Sequence, residues 1–290
     1  MANERIAVVN MRTWAFAALA LAAFASNSIL TRLALGAHQI DAATFSSIRL
    51  CAGALALTAV ARARTGTWKS LRAPGMSGAL VLLIYALPFA FAYLRIGAAV
   101  GALVLFGVVQ LTMIGYGVAR GERPTSVAWC GILLATAGLA ALTIPSAARP
   151  DSRGLMLMAI AGIAWAVYSL LGKGASDPVA ANARSFLWSC PLALLANLWW
   201  RGSFTATPRG VALAVVCGAV TSGLGYAVWY RALAGLKITQ AAVAQLSVPV
   251  IAAFGAVLFL NERLSVRLAL CSVAILGGVG CALAGRVGRV

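Results

Sequence analysis

Apolar residues occur along the chain in ten long runs, each bounded by charged or turn-forming residues. A run of about 20 apolar residues is long enough for a helix to cross the hydrocarbon core of a membrane. The pattern therefore predicts an all-α membrane protein with ten transmembrane helices. We place them at residues 12–36, 43–61, 75–95, 98–119, 125–145, 154–173, 179–200, 209–231, 238–260 and 265–285. The break between the third and fourth helices depends only on Arg95 and Gly97.

The composition fits this pattern and excludes a soluble enzyme, a disordered chain and a disulfide scaffold. Of the 290 residues, 62% are hydrophobic and 10% are charged, against about 45–50% and about 25% in soluble domains. The loops between ten helices are too short for a soluble domain. The six cysteines lie in apolar runs without the spacing of a metal or redox site, and we expect them to be small buried apolar residues.

The net charge of +17 results from 23 basic and 6 acidic residues. In a soluble protein such an excess would indicate nucleic-acid binding, but here the basic residues lie in the loops between apolar runs. More of them fall on the side that holds the N-terminus, most densely between Arg62 and Arg72. Because basic loops mark the cytoplasmic side, we expect a multi-pass protein of a bacterial inner membrane with both termini cytoplasmic. Its surroundings would be membrane lipids, with no nucleic acid as a partner.

The two halves of the sequence repeat each other at a shift of 140 or 141 residues. Segments that begin at Phe24, Leu83 and Gly121 match segments that begin at Trp165, Leu224 and Asn261. We therefore divide the chain into an N-terminal five-helix repeat, residues 1–147, and a C-terminal five-helix repeat, residues 148–290. Since five is odd, the second repeat is expected to be inverted, as in many secondary transporters that bind substrate where the repeats meet. Residues 12–25 also resemble a signal peptide, but its cleavage would remove the counterpart of the sixth helix.

Ten helices in two repeats, with a Glu-Arg pair after the fourth and ninth helices, resemble the drug/metabolite transporter superfamily and its EamA-type members. The segments with this resemblance are Gly121-Glu122-Arg123, Asn261-Glu262-Arg263, Tyr226 to Leu233 and Ala244 to Val250. Within the family, the chain looks like the YddG-type exporters of aromatic and other neutral amino acids. The resemblance implies a basket of helices around a central cavity. The first, third, fourth, sixth, eighth and ninth helices would line it, and the other four would brace the outside.

Acidic residues are absent from the middle of every predicted span. The six are Glu4, Asp41, Glu122, Asp151, Asp177 and Glu262, all at loops or helix ends. Carboxylates within a membrane usually mark proton relays or cation sites, so their absence argues against proton exchange with a cationic drug. The only histidine, His38, lies in a loop. Without a buried nucleophile and base or a set of metal ligands, the sequence argues against an enzyme and predicts no cofactor and no metal.

The polar and aromatic residues at membrane depth are neutral. Eight of them are our candidates for substrate binding: Asn27, Tyr85, Gln110, Trp165, Tyr168, Tyr226, Trp229 and Gln245. Amide groups cannot face lipid without losing hydrogen bonds, and aromatic faces stack and attract an ammonium group. We favour four of the eight. Trp165 and Tyr168 share a helix face, and Tyr85 and Tyr226 occupy equivalent positions in the two repeats.

Some candidates have an ordinary structural alternative. Gln110 and Gln245 are of a type that forms hydrogen bonds between neighbouring membrane helices. Trp229 lies near a helix end, where aromatic residues form belts at the membrane interface. Trp199 and Trp200 are excluded from the candidates for that reason.

Prolines and one arginine within the spans have structural interpretations. Pro88, Pro191 and Pro249 are expected to kink their helices, and Pro249 follows Gln245 by one turn. Arg49, about two turns inside the second helix, is expected to snorkel outward or to bond a carbonyl. Binding of a substrate carboxylate is the third choice for Arg49, because the family pattern places the second helix outside the cavity.

Glu122 and Glu262 are interpreted as structural residues, as charges at helix termini that form ion pairs with nearby arginines. Each precedes a Thr or Ser that can cap the next helix. Pro124 would then occupy the first turn of the fifth helix.

These observations predict a secondary transporter that exports aromatic or neutral amino acids, or similar small metabolites, by alternating access. The sequence has no ATP-binding motif, and both proton coupling and facilitated diffusion remain open. Efflux of drugs and toxicants through the same cavity is the alternative function. A scaffold or an intramembrane enzyme is a third hypothesis, which a sealed, dry interface between the halves would favour. We expect the protein to function as a monomer.

Overall fold

A computed structural model describes residues 10–36, 38–67, 71, 75–96, 98–143, 151–199, 204–260, 266–285 and 287–289. The N-terminal half contains α1 (Met11–Leu35), α2 (Ala42–Thr65), α3 (Met76–Tyr93), α4 (Ala98–Ala119), β1 (Glu122–Pro124) and α5 (Ser126–Thr143). The C-terminal half contains α6 (Ser152–Lys173), α7 (Pro178–Trp199), α8 (Pro208–Val216), a π-helical segment (Cys217–Leu224), α9 (Gly225–Leu233), α10 (Ile238–Gln245), α11 (Ser247–Leu260), α12 (Val266–Ala284) and β2 (Val287–Arg289). Glu4, Gly97, Trp200 and Glu262 lie outside the described residues.

Several helices begin at residues whose side chains bond the first free backbone N–H groups. Asp41 accepts a hydrogen bond from the N–H of Thr44, and Asp151 accepts one from the N–H of Gly154. The hydrogen bond from Gly154 is also the main reason why the pKa of the Asp151 carboxyl lies below its usual value. These bonds satisfy donors that a helix N-terminus otherwise leaves unpaired.

Seven helical stretches of the described chain are long and apolar enough to cross a membrane. They are Met11–Leu35, Ala42–Thr65, Met76–Tyr93, Ser152–Lys173, Pro178–Trp199, Pro208–Leu233 and Ile238–Gly255. Three shorter apolar helices are Val104–Ala119, Ser126–Ala141 and Ala269–Ala284. Large apolar side chains such as Leu19, Leu55 and Leu111 are exposed on the outside, as expected of a surface that faces lipid. A helical multi-pass membrane protein is confirmed, and ten crossings stay a prediction.

Helices of one half pack mainly against helices of the other half. The principal pairs are α5 with α12, α2 with α7 and α3 with α6, and α1 packs on α9 and α11. Glycines allow the closest of these contacts. A Cβ atom on Gly131 of α5 would lie 2.5 Å from the carbonyl oxygen of Gly278 on α12, and one on Gly278 would lie 2.6 Å from the oxygen of Gly131. Small residues bring helix backbones together in this way in membranes.

Two of the predicted helices are interrupted. The eighth is α-helical at both ends, but residues Cys217–Leu224 form a π-helical segment, a local widening of the helix that is frequent at functional sites. The ninth is broken between Gln245 and Ser247. Pro249 has no N–H to bond the carbonyl of Gln245, so the break lies one turn before the proline. The kink that we predicted at Pro249 is therefore a separation into α10 and α11.

The strands β1 and β2 form an antiparallel pair in which Glu122 is opposite Arg289 and Pro124 is opposite Val287. The sequence pattern did not predict these strands, because each has three residues. The expected place of Pro124 in the first turn of a helix is wrong, because α5 begins after it, at Ser126. Gly121 precedes β1 with a φ of 86°, a conformation that glycine adopts without strain.

The expectation that the cysteines are all buried is also wrong. Cys217 and Cys271 are buried, but Cys130 and Cys281 are exposed and Cys51 and Cys190 are half-buried. Cys130 lies on α5 and Cys281 on α12, two apolar helices with exposed outer faces, as expected of a surface that faces lipid.

Candidate functional site

Five aromatic rings from four helices meet in the centre of the molecule. Phe24 of α1 contacts Trp165 of α6 edge to face, with 5.1 Å between ring centroids. Tyr85 of α3 and Tyr226 of α9 lie 5.1 Å and 4.6 Å from the Trp165 ring. Trp229 of α9 completes the group at 5.6 Å from Phe24. We call these five residues the aromatic cluster. Such rings attract one another beyond the apolar area that they bury.

Arg49 of α2 points into the centre of the molecule and is 1% exposed. Its Nε donates to Ser222 Oγ at 2.8 Å, and its Nη2 donates to the hydroxyl oxygens of Tyr226 at 2.6 Å and Tyr85 at 3.4 Å. The expectation that Arg49 snorkels outward is therefore wrong. The reason is that α2 packs between α7, α3 and the π-helical segment, which leaves this face of the helix no path to water.

Close backbone contact holds the arginine helix against the π-helical segment. A Cβ atom on Gly218 would lie 2.1 Å from the carbonyl oxygen of Arg49. Only glycine leaves room at this position, because the obstructing atom belongs to the backbone and cannot rotate away. Ser222 follows Gly218 by four residues, on the same segment, and its hydroxyl oxygen accepts from Arg49.

Asn27 joins the arginine and tyrosine groups from the side of α1. Its amide nitrogen donates to the Tyr226 hydroxyl oxygen at 3.5 Å, and its amide oxygen accepts from the Cys217 thiol at 2.7 Å. Asn27 is 3% exposed, so both ends of the amide are satisfied by protein.

Two hydrogen-bonded pairs support the aromatic cluster from behind. The indole N–H of Trp165 donates to Gln245 Oε1 at 2.6 Å, and the Gln245 amide nitrogen reaches Met113 Sδ at 3.3 Å. The indole N–H of Trp229 donates to Ser169 Oγ at 3.1 Å. Trp229 is fully buried, so its alternative interpretation as part of an interfacial belt is wrong. Trp199, by contrast, is 86% exposed.

Tyr168 and Gln110 lie in different surroundings. Tyr168 stacks on Trp165 with ring centroids 6.0 Å apart, and its hydroxyl donates to Asn182 Oδ1 at 2.8 Å. Gln110 of α4 is 4% exposed. Neither its amide nitrogen nor its amide oxygen has a hydrogen-bond partner in the described part of the chain. The interhelical hydrogen bond that was the alternative for Gln110 is therefore not formed among these residues.

A small cavity lies against the aromatic cluster. Residues of α1, α3, α4, α6 and α9 line it: Phe24, Asn27, Ser28, Tyr85, Phe89, Leu105, Phe106, Trp165 and Tyr226. Its volume of about 20 Å³ has room for about one water molecule. The central cavity that the family resemblance implies is thus nearly filled in this conformation, because rings from both halves occupy it.

A second, larger space of about 390 Å³ lies between α1, α11 and α12. Its walls are almost entirely apolar, with Ile29, Val250 and Phe254 among them. Ser26 is the polar residue of this groove, and its hydroxyl bonds the Ala22 carbonyl. Among its described residues, the groove therefore offers no free polar group for recognition.

Glu122 is buried away from the aromatic cluster, at the N-terminus of α10. Its carboxylate accepts hydrogen bonds from the backbone N–H of Ile238 at 2.8 Å, the N–H of Thr239 at 2.9 Å and the Thr239 hydroxyl at 2.8 Å. The described residues contain no ion pair of Glu122, so the expected arginine partner is replaced by a helix N-terminus. Helix N-termini attract carboxylates through their free N–H groups and dipole. The corresponding expectation for Glu262 falls outside the described residues.

Comparison with known proteins gives the family. The EamA-like transporter family model matches residues 152–284. The uncharacterized protein PA1977 of Pseudomonas aeruginosa is 45% identical over 278 residues, which cover 96% of each chain. The chain belongs to the EamA-like transporter family.

Other relatives of this EamA-family protein are named as transporters. An uncharacterized transporter of Archaeoglobus fulgidus is 26% identical over 290 residues, covering 93% of this chain and 97% of the relative. The uncharacterized transporter YwfM of Bacillus subtilis is 28% identical over 255 residues, covering 84% and 85%. A crystal structure with 19% identity superposes with a TM-score of 0.79 over 93% of this chain and 96% of the other. The family and these relatives indicate a transporter rather than an enzyme.

The structure of this EamA-family protein places the predicted residues unequally. Asn27, Tyr85, Trp165 and Tyr226 line the central cavity. Behind these residues, Trp165 is contacted by Tyr168 and Gln245, and Phe24 is contacted by Trp229. Gln110 makes no hydrogen bond to any described residue.

Phe24 and Phe89 of the centre were missed as binding candidates, and Arg49 was considered for substrate binding only as a third choice. Phe24 matches Trp165 in the repeat, which was a usable signal. A charged residue within an apolar run was the signal for Arg49.

Proposed function

We propose that this protein is a secondary transporter that exports aromatic or neutral amino acids, or similar small metabolites, across the bacterial inner membrane by alternating access. The observation behind the proposal is the aromatic cluster with its adjoining polar groups. Rings, hydroxyls and an amide from both halves converge there, next to a buried arginine, and the described residues place no carboxylate at the centre.

Matching residues of the two halves meet one another in this cluster, which supports a site between two repeats. Tyr85 and Tyr226 are 141 residues apart, and their hydroxyl oxygens lie 3.4 Å from each other. Phe24 and Trp165 are separated by the same shift, and their rings are in contact. A two-fold relation between the repeats brings equivalent residues together only near its axis, so the cluster would lie on that axis.

The helix pairing supports the inverted arrangement of residues 1–147 and 148–290. Exchange of the two halves maps α5 onto α12 and α2 onto α7. In the structure α5 packs against α12, and α2 packs against α7. The same exchange relates the contact of α3 with α6 to that of α1 with the π-helical segment and α9, both of which are present. This symmetry of contacts is expected of an inverted repeat.

Contacts between loops support ten crossings with both termini on one side. Arg64 pairs with Asp177 at 3.4 Å, which joins two loops that we predict to be cytoplasmic. Arg95 pairs with Asp151 at 3.3 Å, which joins two loops predicted on the outer side. The bridge between Ile40 and Ala206 also joins two outer loops.

The chemistry of the centre favours an uncharged or zwitterionic cargo with an aromatic or apolar side chain. Stacking surfaces are supplied by Trp165 and Phe24, and hydroxyl and amide groups are close by. The alternative function, efflux of cationic drugs, is disfavoured because Arg49 would repel a cation and no described carboxylate would compensate. Neutral lipophilic toxicants would meet the same aromatic rings and stay the alternative cargo.

The small volume of the chamber corresponds to a closed state between two open ones. Substrate entry requires the rings of α1, α3, α6 and α9 to separate. Rocking of one repeat against the other, within a single chain, would do this at either side. The hydroxyl and amide groups beside the cavity favour this function over that of a scaffold, whose interior needs no such groups.

Flux measurements in proteoliposomes test the proposal. The purified protein is reconstituted and uptake of radiolabelled phenylalanine, leucine, threonine and lysine is followed with and without a pH gradient. We expect saturable flux of the aromatic and neutral amino acids. Flux that disappears without the pH gradient would indicate proton coupling, and flux that persists would indicate facilitated diffusion.

A growth screen separates the two candidate functions. Cells that produce the protein are challenged with toxic amino-acid analogues, cationic dyes and neutral lipophilic toxicants. Protection against amino-acid analogues supports the proposal. Protection against dyes or toxicants alone, with no amino-acid flux in proteoliposomes, would overturn it in favour of drug efflux.

A further inference from the structure

The guanidinium of Arg49 is a buried positive charge without a counter-ion among the described residues. Its three described partners, Ser222, Tyr85 and Tyr226, are neutral hydroxyl groups. Its Nη1 has no hydrogen-bond partner in the described part of the chain. An unpaired charge in a low-dielectric interior is strongly unfavourable, so a fold retains one where something else compensates it.

Each described carboxylate is engaged elsewhere. Asp41 accepts from the backbone of Thr44, at the start of α2. Glu122 binds the N-terminus of α10. Asp151 and Asp177 cap α6 and α7 and pair with exposed arginines. None of these four is bonded to Arg49.

The repeated architecture does not itself require a charge at this place. At the shift of 140 or 141 residues, the position on α7 that corresponds to Arg49 holds Ser189 or Cys190. Both are small and neutral, and α7 packs against α2 as its structural counterpart. The arginine therefore breaks the symmetry of the two repeats, and packing alone does not explain it.

The guanidinium lies directly behind the wall of the central cavity. Arg49 Cζ is 5.4 Å from the ring centroid of Tyr85 and 5.6 Å from that of Phe89, and both rings line the cavity. Its Nη2 holds the hydroxyls of Tyr85 and Tyr226, which line the same cavity. Since Nη1 has no described partner, rotation of the two tyrosines would leave both Nη1 and Nη2 available to a ligand.

We propose that Arg49 binds the carboxylate group of the transported molecule, with Nη1 and Nη2 forming two parallel hydrogen bonds to its oxygens. The inference rests on the proposed transport function and narrows its cargo to small molecules that bear a carboxylate, amino acids included. Arginine is suited to this role because its planar donors match a carboxylate and it remains charged when buried. In the closed, empty state the tyrosine hydroxyls take the place of the carboxylate oxygens at Nη2.

Three ligands that share a phenylethyl skeleton distinguish carboxylate binding by Arg49 from a role of Arg49 in packing. Phenylalanine has a carboxylate and an ammonium group, phenylpropionate only the carboxylate, and phenylethylamine only the ammonium group. Their affinities for the wild-type protein are measured by inhibition of radiolabelled phenylalanine counterflow in proteoliposomes. We expect phenylalanine and phenylpropionate to compete and phenylethylamine to compete at least about tenfold more weakly, because it cannot make the charge-assisted bonds.

Substitutions of Arg49 then test whether this residue causes the preference for ligands with a carboxylate. Arg49→Gln is expected to weaken the binding of phenylalanine and phenylpropionate by about 10- to 100-fold. It should not weaken the binding of phenylethylamine, because the variant removes a positive charge that repels the ammonium group. Arg49→Lys keeps the charge without the two parallel donors, and we expect a smaller loss for the same two ligands. The matched control is Arg95→Gln, which removes an exposed guanidinium paired with Asp151 at 3.3 Å and should change none of the three affinities.

The outcomes distinguish this inference from the proposed function. Equal losses for all three ligands in both Arg49 variants would make the arginine a packing residue and overturn the inference, while wild-type phenylalanine flux would leave the transport function intact. Saturable uptake of radiolabelled phenylpropionate that Arg49→Gln weakens, with no transport of any amino acid, would support Arg49 as the carboxylate site and reject amino acids as cargo. If Arg49→Gln does not fold, Arg49→Lys and the wild-type ligand order decide. Preference of the wild type for phenylethylamine would overturn the inference.

Discussion

At the scale of single residues, the centre of this EamA-family protein is held together by hydrogen bonds that join aromatic side chains to polar ones. Hydroxyl, amide and indole groups that would be unpaired in lipid find one another there, as Trp165 does with Gln245 and Asn27 with Tyr226. Unpaired polar groups in such surroundings are costly. The strength of each bond therefore has a measurable consequence for stability or flux.

Tyr226→Phe is expected to destabilise the protein more than Tyr85→Phe. The Tyr226 hydroxyl accepts from Arg49 at 2.6 Å and the Tyr85 hydroxyl at 3.4 Å, and a short bond to a charged donor contributes about 1.5–3 kcal/mol. We expect a clear fall in thermal unfolding temperature for Tyr226→Phe and a smaller one for Tyr85→Phe. Equal falls would contradict the assignment of Tyr226 as the main partner of the arginine.

Trp165→Phe is expected to lower substrate flux while the protein still reaches the membrane. The substitution keeps a ring in the aromatic cluster but removes the 2.6 Å hydrogen bond to Gln245, worth about 1 kcal/mol or a factor of about five. The control is Trp199→Phe, since Trp199 is 86% exposed. A drop in flux of the same size in the control would show that the effect is not specific to the centre.

At the scale of helices, the charged and glycine residues act where one element meets another. Glu122 joins the segment after α4 to the start of α10, and Gly218 lets the π-helical segment touch α2. The sequence predicted an ion pair for Glu122, because a pattern along the chain does not show which helix end lies nearby. Both contacts connect the two halves of the chain.

Glu122→Gln is expected to destabilise the start of α10 by about 1–3 kcal/mol, because the negative charge at the helix N-terminus is lost and the amide can satisfy fewer donors. The matched variant Thr239→Val removes only the hydroxyl bond to Glu122 at 2.8 Å. Thermal unfolding of the purified proteins measures both. A smaller effect for Glu122→Gln than for Thr239→Val would refute this role.

Gly218→Ala is expected to reduce the yield of folded protein sharply. The new methyl group would lie 2.1 Å from the Arg49 carbonyl oxygen, and overpacking of this kind costs about 1–3 kcal/mol or more. Gly107→Ala is the control, since nothing lies within 4 Å of a Cβ there and alanine favours the helix by about 1 kcal/mol. Similar yields for the two variants, measured by size-exclusion chromatography, would argue against the close contact.

At the scale of the whole molecule, the proposed topology predicts that two loops in contact lie on the same side of the membrane. The pairs Arg64–Asp177 and Arg95–Asp151 obey this rule. The prediction can be tested without any transport assay, because it concerns only the side of the membrane on which each loop lies.

Reporter fusions are expected to show an alternating pattern. Alkaline phosphatase joined after Gly66 or Gly174 should be inactive and one joined after Phe204 active, while fluorescent protein at the C-terminus should be bright. This follows from ten crossings with cytoplasmic termini. An active phosphatase after Gly66, or equal activity after Gly174 and Phe204, would contradict the inverted arrangement.

The sequence by itself determined the helical multi-pass character, because runs of apolar residues of this length have few other stable forms. It also marked Tyr85 and Tyr226 through the internal repeat and Trp165 through the helix face that it shares with Tyr168. The structure brings Tyr85, Trp165 and Tyr226 together. The repeat was informative because equivalent positions in two related halves are placed by the same packing.

Only the tertiary structure decided which side of each helix faces the centre. Helices such as α3 and α4 are apolar on all sides, since lipid and protein interior are equally apolar, so periodicity does not mark the inner face. That is why Arg49 was expected to point outward, Trp229 was assigned an alternative place in an interfacial belt, and Glu122 was given an arginine as its partner. Contacts between distant segments fix these directions, and no single run of sequence contains them.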